Sequence, residues 1–179
     1  MISIATGPPK SEGATLDRPL DHLSACHRRI EQRLDTLERA IPVLWERRDE
    51  ALQAIHSAFT FLNGSGVLHT EDEESSLFPR LAGKLSPDQA ALVSALEYDH
   101  RAAHKIYGEL QAAVERIQSR TECDAVLEAE YADIVGRFCA LYRRHIQQED
   151  TQLIEMSRAV LSQEELGEIS AEMKTRRGL

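Results

Sequence analysis

The sequence predicts an all-α protein: an up-down-up-down antiparallel four-helix bundle with a flexible N-terminal arm and a short C-terminal helix. Three observations predict it. Four segments repeat apolar residues at alternating spacings of three and four, the mark of one buried helical stripe. The links between them are short, as antiparallel neighbours require. Strand-like alternation is nearly absent, and no glycine pattern of a dinucleotide or phosphate loop occurs. At 179 residues the chain is long enough for one core.

Residues 1–16 hold Gly7, Pro8, Pro9 and Gly13 with one lysine and no apolar segment of a secretory signal, which predicts a flexible arm. Residues 17–160 are expected to form the bundle and 161–179 a short helix and tail. The first helix carries Leu20, Leu23, His27, Ile30, Leu34, Leu37 and Ile41, and Pro42 should end it near Ala40. The second carries Leu52, Ile55, Phe59 and Leu62 and continues in phase through Gly66, His69, Glu73 and Ser76 or Leu77. Asn63-Gly64-Ser65-Gly66 predicts a kink or short break within it, and Pro79 and Gly83 mark the next connection. Ser86 before Pro87 is a good start for the third helix, whose stripe is Leu96, His100, Ala103, Tyr107, Leu110, Val114 and Ile117. After a loop near 119–124, the fourth carries Leu127, Tyr131, Ile134, Phe138, Leu141, His145 and Glu149. Ser162-x-x-Glu165 is a capping box that starts the last helix.

Charge and cysteine content exclude several functions. Lys plus Arg number 21 against 30 Asp plus Glu, a net charge of -9, so no basic field awaits nucleic acid or an anionic membrane. No apolar run is long enough to span a bilayer. Cys26, Cys123 and Cys139 form no C-x-x-C pair, which argues against a disulfide framework, a thiolate zinc site and a thioredoxin-type motif. A reducing, cytoplasmic compartment is expected.

Each predicted helix puts a histidine on its buried stripe: His27, His69, His100 and His145. One such residue would be read as a core histidine bonded to a backbone carbonyl. Four are different, because each unpaired buried polar group costs about 1–3 kcal/mol and a domain has only about 5–15 kcal/mol of net stability. They need a common partner, and a metal centre supplies one. His69 with Glu73, and His145 with Glu149, stand one helical turn apart on one face, as do His100 and His104. Carboxylates can bridge two ions, so two carboxylates suggest two metals. The histidines lie at comparable distances from loop centres near Trp45, Gly83 and Arg120, so one shared layer is feasible. There is also an internal repeat: 73 positions separate His27 from His100, and 76 separate both His69 from His145 and Glu73 from Glu149. The site should have pseudo-twofold symmetry.

The ordered set Cys26-His27-Arg28-Arg29-Ile30, His69-Thr70-Glu71-Asp72-Glu73-Glu74 leading into Leu77-Phe78-Pro79, Asp99-His100 with His104, and His145-Ile146-Gln147-Gln148-Glu149 resembles the bacterial hemerythrin-like proteins of the His-His-Glu cation-binding type. The resemblance covers roughly residues 20–156. It implies a non-haem di-iron centre, two Fe2+/Fe3+ ions with a bridging oxo, hydroxo or water. His27, His69, His100, His104 and His145 would be terminal ligands, and Glu73 and Glu149 would bridge. Oxygen-carrying members end the fourth-helix motif with aspartate five positions after the histidine, and here both Glu149 and Asp150 stand near that place. Glu149 stays on the His145 face, while Asp150 turns about 140° away.

His22 reads as a surface or outer-layer histidine and His56 as solvated. Tyr107 and Tyr142 read as core packing with a phenol that could reach a bound oxygen species. Cys26 should point away from the site, and Glu71, Asp72 and Glu74 form a solvated acidic face.

Two functions follow. One is binding or sensing of dioxygen, nitric oxide or peroxide. The other is enzymatic or iron-handling: ferroxidase, peroxide or nitric-oxide scavenging, or iron delivery for iron–sulfur repair. Ferritin-like oxidases need Glu-x-x-His on two helices, and only Glu97-x-x-His100 fits. The arm and the last helix are the segments available for self-assembly into a homo-oligomer.

Overall fold

A computed structural model describes residues 16–179, and the described residues are all-α, without strands. Four helical rods and a fifth helix make up the described residues. The first rod is α1 (Pro19–Ala40), opened by a proline at its first turn and followed by a tight 3-10 turn, Ile41–Val43, at the predicted Pro42 boundary. Residues 1–15 of the expected arm lie outside the described residues. Its last residue, Leu16, is fully buried, so the packed structure begins ahead of α1.

The second rod runs over 48–81 without a break: α2 (Arg48–Phe61), a π turn (Leu62–Gly66), α3 (Val67–Asp72), a second π turn (Glu73–Leu77) and α4 (Phe78–Leu81). The expected kink at 63–66 is therefore a widened turn, in which the Val67 N–H reaches the Leu62 carbonyl five residues back. The rod also continues through Pro79, where a connection was expected. The preceding π turn sends the Phe78 N–H to the Glu73 carbonyl, so the carbonyls are no longer stacked at the spacing that collides with a proline ring.

The third rod is α5 (Pro87–Gln118), started by a Ser86/Gln89 capping box. Arg48 at the head of α2 donates to the Ile117, Gln118 and Arg120 carbonyls at 3.1, 2.9 and 2.8 Å, satisfying the exposed end of α5. The fourth rod is α6 (Ala125–Gln148), a π turn (Glu149–Leu153) and α7 (Ile154–Val160). Asp124 caps its first turn through Val126 and Leu127 N–H. The Ser162/Glu165 capping box starts α8 (Gln163–Arg176), as expected.

Helix α5 packs along α6, and α1 packs against both α2 and α6. Helix α8 lies on α1 and α3. Apolar stripes close two separate clusters. One is centred on Ile30, Leu34, Leu37, Ile55, Leu110, Ile117, Tyr131 and Phe138, and the other on Leu20, Leu23, Leu77, Phe78, Leu96, Leu153 and Ile169. Along every rod, the stretch between these clusters holds the histidines and glutamates singled out from the sequence. Among the described residues, no helix is long and apolar enough to cross a membrane.

Candidate metal centre

Six polar side chains from four rods fill the layer between the two apolar clusters: His27 from α1, His69 and Glu73 from the second rod, His100 from α5, and His145 and Glu149 from the fourth. All six are buried, with His27, Glu73 and Glu149 at 0% exposure. Their donor atoms fall into two groups, His27–His69–Glu73–Glu149 and Glu73–His100–His145–Glu149, each with all ligand atoms within 4.8 Å of one another. Each group could hold a metal ion.

Both glutamates belong to both groups, and their oxygens are divided between them. Glu73 Oε1 lies 3.4 Å from His69 Nε2 and 3.8 Å from His27 Nε2, while its Oε2 lies 3.4 Å from His100 Nε2. Glu149 Oε2 lies 3.1 Å from His27 Nε2 and its Oε1 lies 3.1 Å from His145 Nε2. One carboxylate oxygen therefore faces each side. Glu149 is the carboxylate inside the layer, and Asp150, adjacent in sequence, is outside it.

Asp150 has a different place: its Oδ1 accepts from His27 Nδ1 at 2.8 Å and from Ser24 Oγ at 3.0 Å. Glu74 does the same for His100, with Oε1 2.8 Å from Nδ1. A carboxylate on the far nitrogen fixes the ring and leaves the inner nitrogen turned to the centre. From the sequence, Glu74 is expected on a solvated face and Asp150 is the alternative to Glu149. A usable signal was present, because each follows its glutamate by one residue and 76 positions separate Glu74 from Asp150. Asp72 corrects the same expectation, being fully buried and held by Arg176 and Arg177 at 2.8 and 2.7 Å.

His104 is not brought into either group. It is exposed on α5 one turn beyond His100, because the buried stripe of this helix runs from His100 to Ala103 and Leu110 and leaves His104 at its outer edge. His22, expected at the surface or outside the centre, is buried at 2% exposure near Arg177. Cys26 does not point clear of the site but lies against the His69 side chain. His56 is exposed, as expected, and touches Gln118 and Phe59. The Tyr142 ring meets His145 edge-on at 6.2 Å, while Tyr107 belongs to an aromatic row with Phe59 and Phe138.

The two π turns that begin at Glu73 and Glu149 belong to this geometry. Each follows an i, i+4 histidine–glutamate pair, and each opens the rod where the carboxylate must turn in. Widened turns of this kind gather at functional sites.

The electrostatics favour a cation. Burial works against charge on His27, yet Asp150, Glu149 and Glu73 outweigh it and push its pKa up to about 12. Burial likewise opposes charge on His100, and Glu73 with Glu149 and Glu74 raises it to about 9. Burial acts against charge on Glu73 too, but His69, His100 and His27 hold it well below the usual carboxylate range. Meanwhile His27 Nε2, His100 Nε2 and both oxygens of Glu73 and of Glu149 are buried without a hydrogen bond. Six orphaned donor atoms converging in one layer fit metal ions, since ions would satisfy all of them at once.

Comparison with known proteins agrees. The family model described as Hemerythrin HHE cation binding domain matches residues 18–157. The chain is also 29% identical over 167 residues, 92% of each chain, to an uncharacterized protein of Haemophilus influenzae (strain ATCC 51907 / DSM 11121 / KW20 / Rd).

Proposed function

The chain belongs to the hemerythrin HHE cation-binding family, and from this premise we propose that its buried layer holds two iron ions and binds or senses dioxygen or a related small ligand, nitric oxide or peroxide. The observation that carries the reading is the sharing of Glu73 and Glu149 between two four-donor groups. A carboxylate with one oxygen toward each side is the donor that joins two cations. His27 and His69 would hold one ion and His100 and His145 the other. Imidazole and carboxylate suit iron, manganese and zinc alike, and the family selects iron. Iron bound there would supply redox chemistry and affinity for a small exogenous molecule.

The protein's own part is to orient and exclude. Asp150 and Glu74 keep the His27 and His100 rings aimed inward through their Nδ1 atoms. The apolar clusters on either side keep bulk water from the layer. We also read the four rods as an up-down-up-down antiparallel bundle over 17–160, supported by the packing of α1 on α2 and of α5 on α6. The free cysteines Cys26, Cys123 and Cys139 are consistent with a reducing, cytoplasmic location.

The test is metal analysis of anaerobically purified protein, followed by visible spectra on admitting and then removing oxygen. Two irons per chain and a reversible visible band are the expected result. Irons that oxidise irreversibly or consume peroxide would replace this reading with a redox enzyme. A metal-free folded protein, or full iron retention in His69→Ala, would overturn the site.

A further inference from the structure

The centre is built twice, so its halves can be compared position by position. An offset of 76 residues carries His69, Glu73 and Glu74 onto His145, Glu149 and Asp150, and one of 73 carries His27 onto His100. The same offsets carry Gly66 onto Tyr142 and Leu34 onto Tyr107. Three residues ahead of its histidine, the second rod therefore has no side chain where the fourth has a phenol.

Backbone geometry does not explain the glycine. Gly66 has φ -65° and ψ -45°, ordinary helical values that any residue adopts. A Cβ there would meet nothing nearer than the Leu62 side chain at 3.7 Å. What Gly66 contributes is empty space beside the layer.

That space belongs to a cleft of about 280 Å³ between the second and third rods. Asn63 and Gly66 line it from one rod, His104 and Tyr107 from the other, and His100 with Tyr142 from within. The Tyr107 phenol oxygen is buried, with Asn63 as its polar neighbour. Of the six side chains of the layer, His100 alone lines this cleft; neither His27 nor His69, of the other half, reaches it. Each half offers two imidazoles and the two shared carboxylates, so donor count does not distinguish them. The cleft does.

We infer that a small exogenous ligand reaches the centre through this cleft and meets it at His100, with Gly66 as the position that keeps the way open. The ligand class is an uncharged or singly charged molecule of a few atoms, which the volume admits and which the Tyr107 hydroxyl and the Asn63 amide can contact with one polar atom. His104, on the wall of the cleft, is placed to be passed by the ligand and not to hold the metal. This inference rests on the reading that the layer holds iron.

The experiment uses azide as the probe. Iron-loaded, oxidised full-length protein is mixed with azide in a stopped-flow instrument and the visible change is followed for the wild type, Gly66→Leu and Val67→Trp. Val67 also lines the cleft and is 48% exposed, so its enlargement leaves the core untouched. Both variants should slow azide association about tenfold or more at unchanged iron content. Tyr107→Phe should leave association unchanged and speed release a few-fold. Wild-type association in both enlarged variants, with iron fully retained, overturns this inference alone. Wild-type protein that takes up no iron overturns the iron reading and this inference with it. Should Gly66→Leu lose its iron, Val67→Trp decides by the same criterion.

Discussion

The layer of histidines and glutamates and the apolar cluster around Leu34, Leu37, Leu110 and Phe138 are equally buried, but opposite physics holds them. The apolar cluster is favourable in itself, because its surface is removed from water without polar cost. The polar layer has six buried donor atoms with no hydrogen-bond partner, an arrangement that cations in it would make favourable. One region is stabilised by the chain alone, and the other is expected to be stabilised by the chain together with bound metal. The first breaks when volume is removed, the second when charge is.

The largest expected effect tests that division directly. With free metal at about a thousand times its dissociation constant, binding adds about 4 kcal/mol to the unfolding free energy, and a chelator should remove that increment. Thermal or denaturant melts with and without chelator measure it. Glu149→Ala should abolish the increment, because it takes a donor from both groups at once. A chelator that leaves the wild-type midpoint unmoved would show that the layer is self-sufficient.

Leu37→Ala is the counterpart in the apolar region. Leu37 is fully buried, and its truncation should cost about 2–5 kcal/mol through lost transfer energy and the cavity left behind. The same loss is expected with and without chelator, so the two perturbations should add. If Leu37→Ala also erased the metal-dependent increment, layer and core would be one cooperative unit.

This contrast also explains what could be read from the sequence. The apolar region was legible because its signal is periodic: stripes such as Leu127, Tyr131, Ile134 and Phe138 need only α-helical spacing. Helix starts with local chemistry, Ser86-Pro87 and Ser162-x-x-Glu165, were legible for the same reason. His27, His69, His100 and His145 stood out as polar residues inside apolar stripes. What could not be read depended on departures from the α-helical period or on contacts across the fold. Nothing in Glu73–Leu77 or Glu149–Leu153 signals a π turn, and at 63–66, where a kink or short break is expected, the rod only widens. Asp72 is buried because Arg176 and Arg177 arrive from the C-terminal end of α8 and its cap, more than a hundred residues away in the chain. His104 shares the i, i+4 spacing of the other pairs but sits on α5 beyond the inward face. Spacing alone does not tell a regular helix from one that opens to turn a side chain inward.

A smaller effect probes the border between the layer and α8. Burial, then the charges of Arg177 and Arg29, lowers the pKa of His22 to about 4. In the unfolded chain the group takes a proton below about pH 6.5. The unfolded state therefore binds more protons between pH 6.5 and 4, and stability falls as pH falls through that window. The loss expected from this residue is on the order of 2 kcal/mol, allowing for partial solvent screening. Denaturant melts of the wild type and His22→Gln should have a constant stability difference above pH 7, with the variant gaining on the wild type as pH drops toward 4. A difference that stays constant down to pH 4 would mean that His22 is protonated in the folded protein.

The smallest effect concerns Gly66, and its sign carries the information. Its helical φ and ψ and the absence of any contact under 3.7 Å to an added Cβ mean that alanine fits without strain. Gly66→Ala should then stabilise the protein by about 0.5–1 kcal/mol, because alanine loses less backbone freedom on folding than glycine does. The gain should be the same with and without chelator, since a methyl group at this place adds no donor and removes none. A glycine retained at a cost in stability, where the backbone has no need of it, is understandable if its missing side chain keeps the cleft to His100 open. Were Gly66→Ala destabilising instead, the π turn at Leu62–Gly66 would depend on glycine for its own formation, and the cleft would be a by-product of that turn.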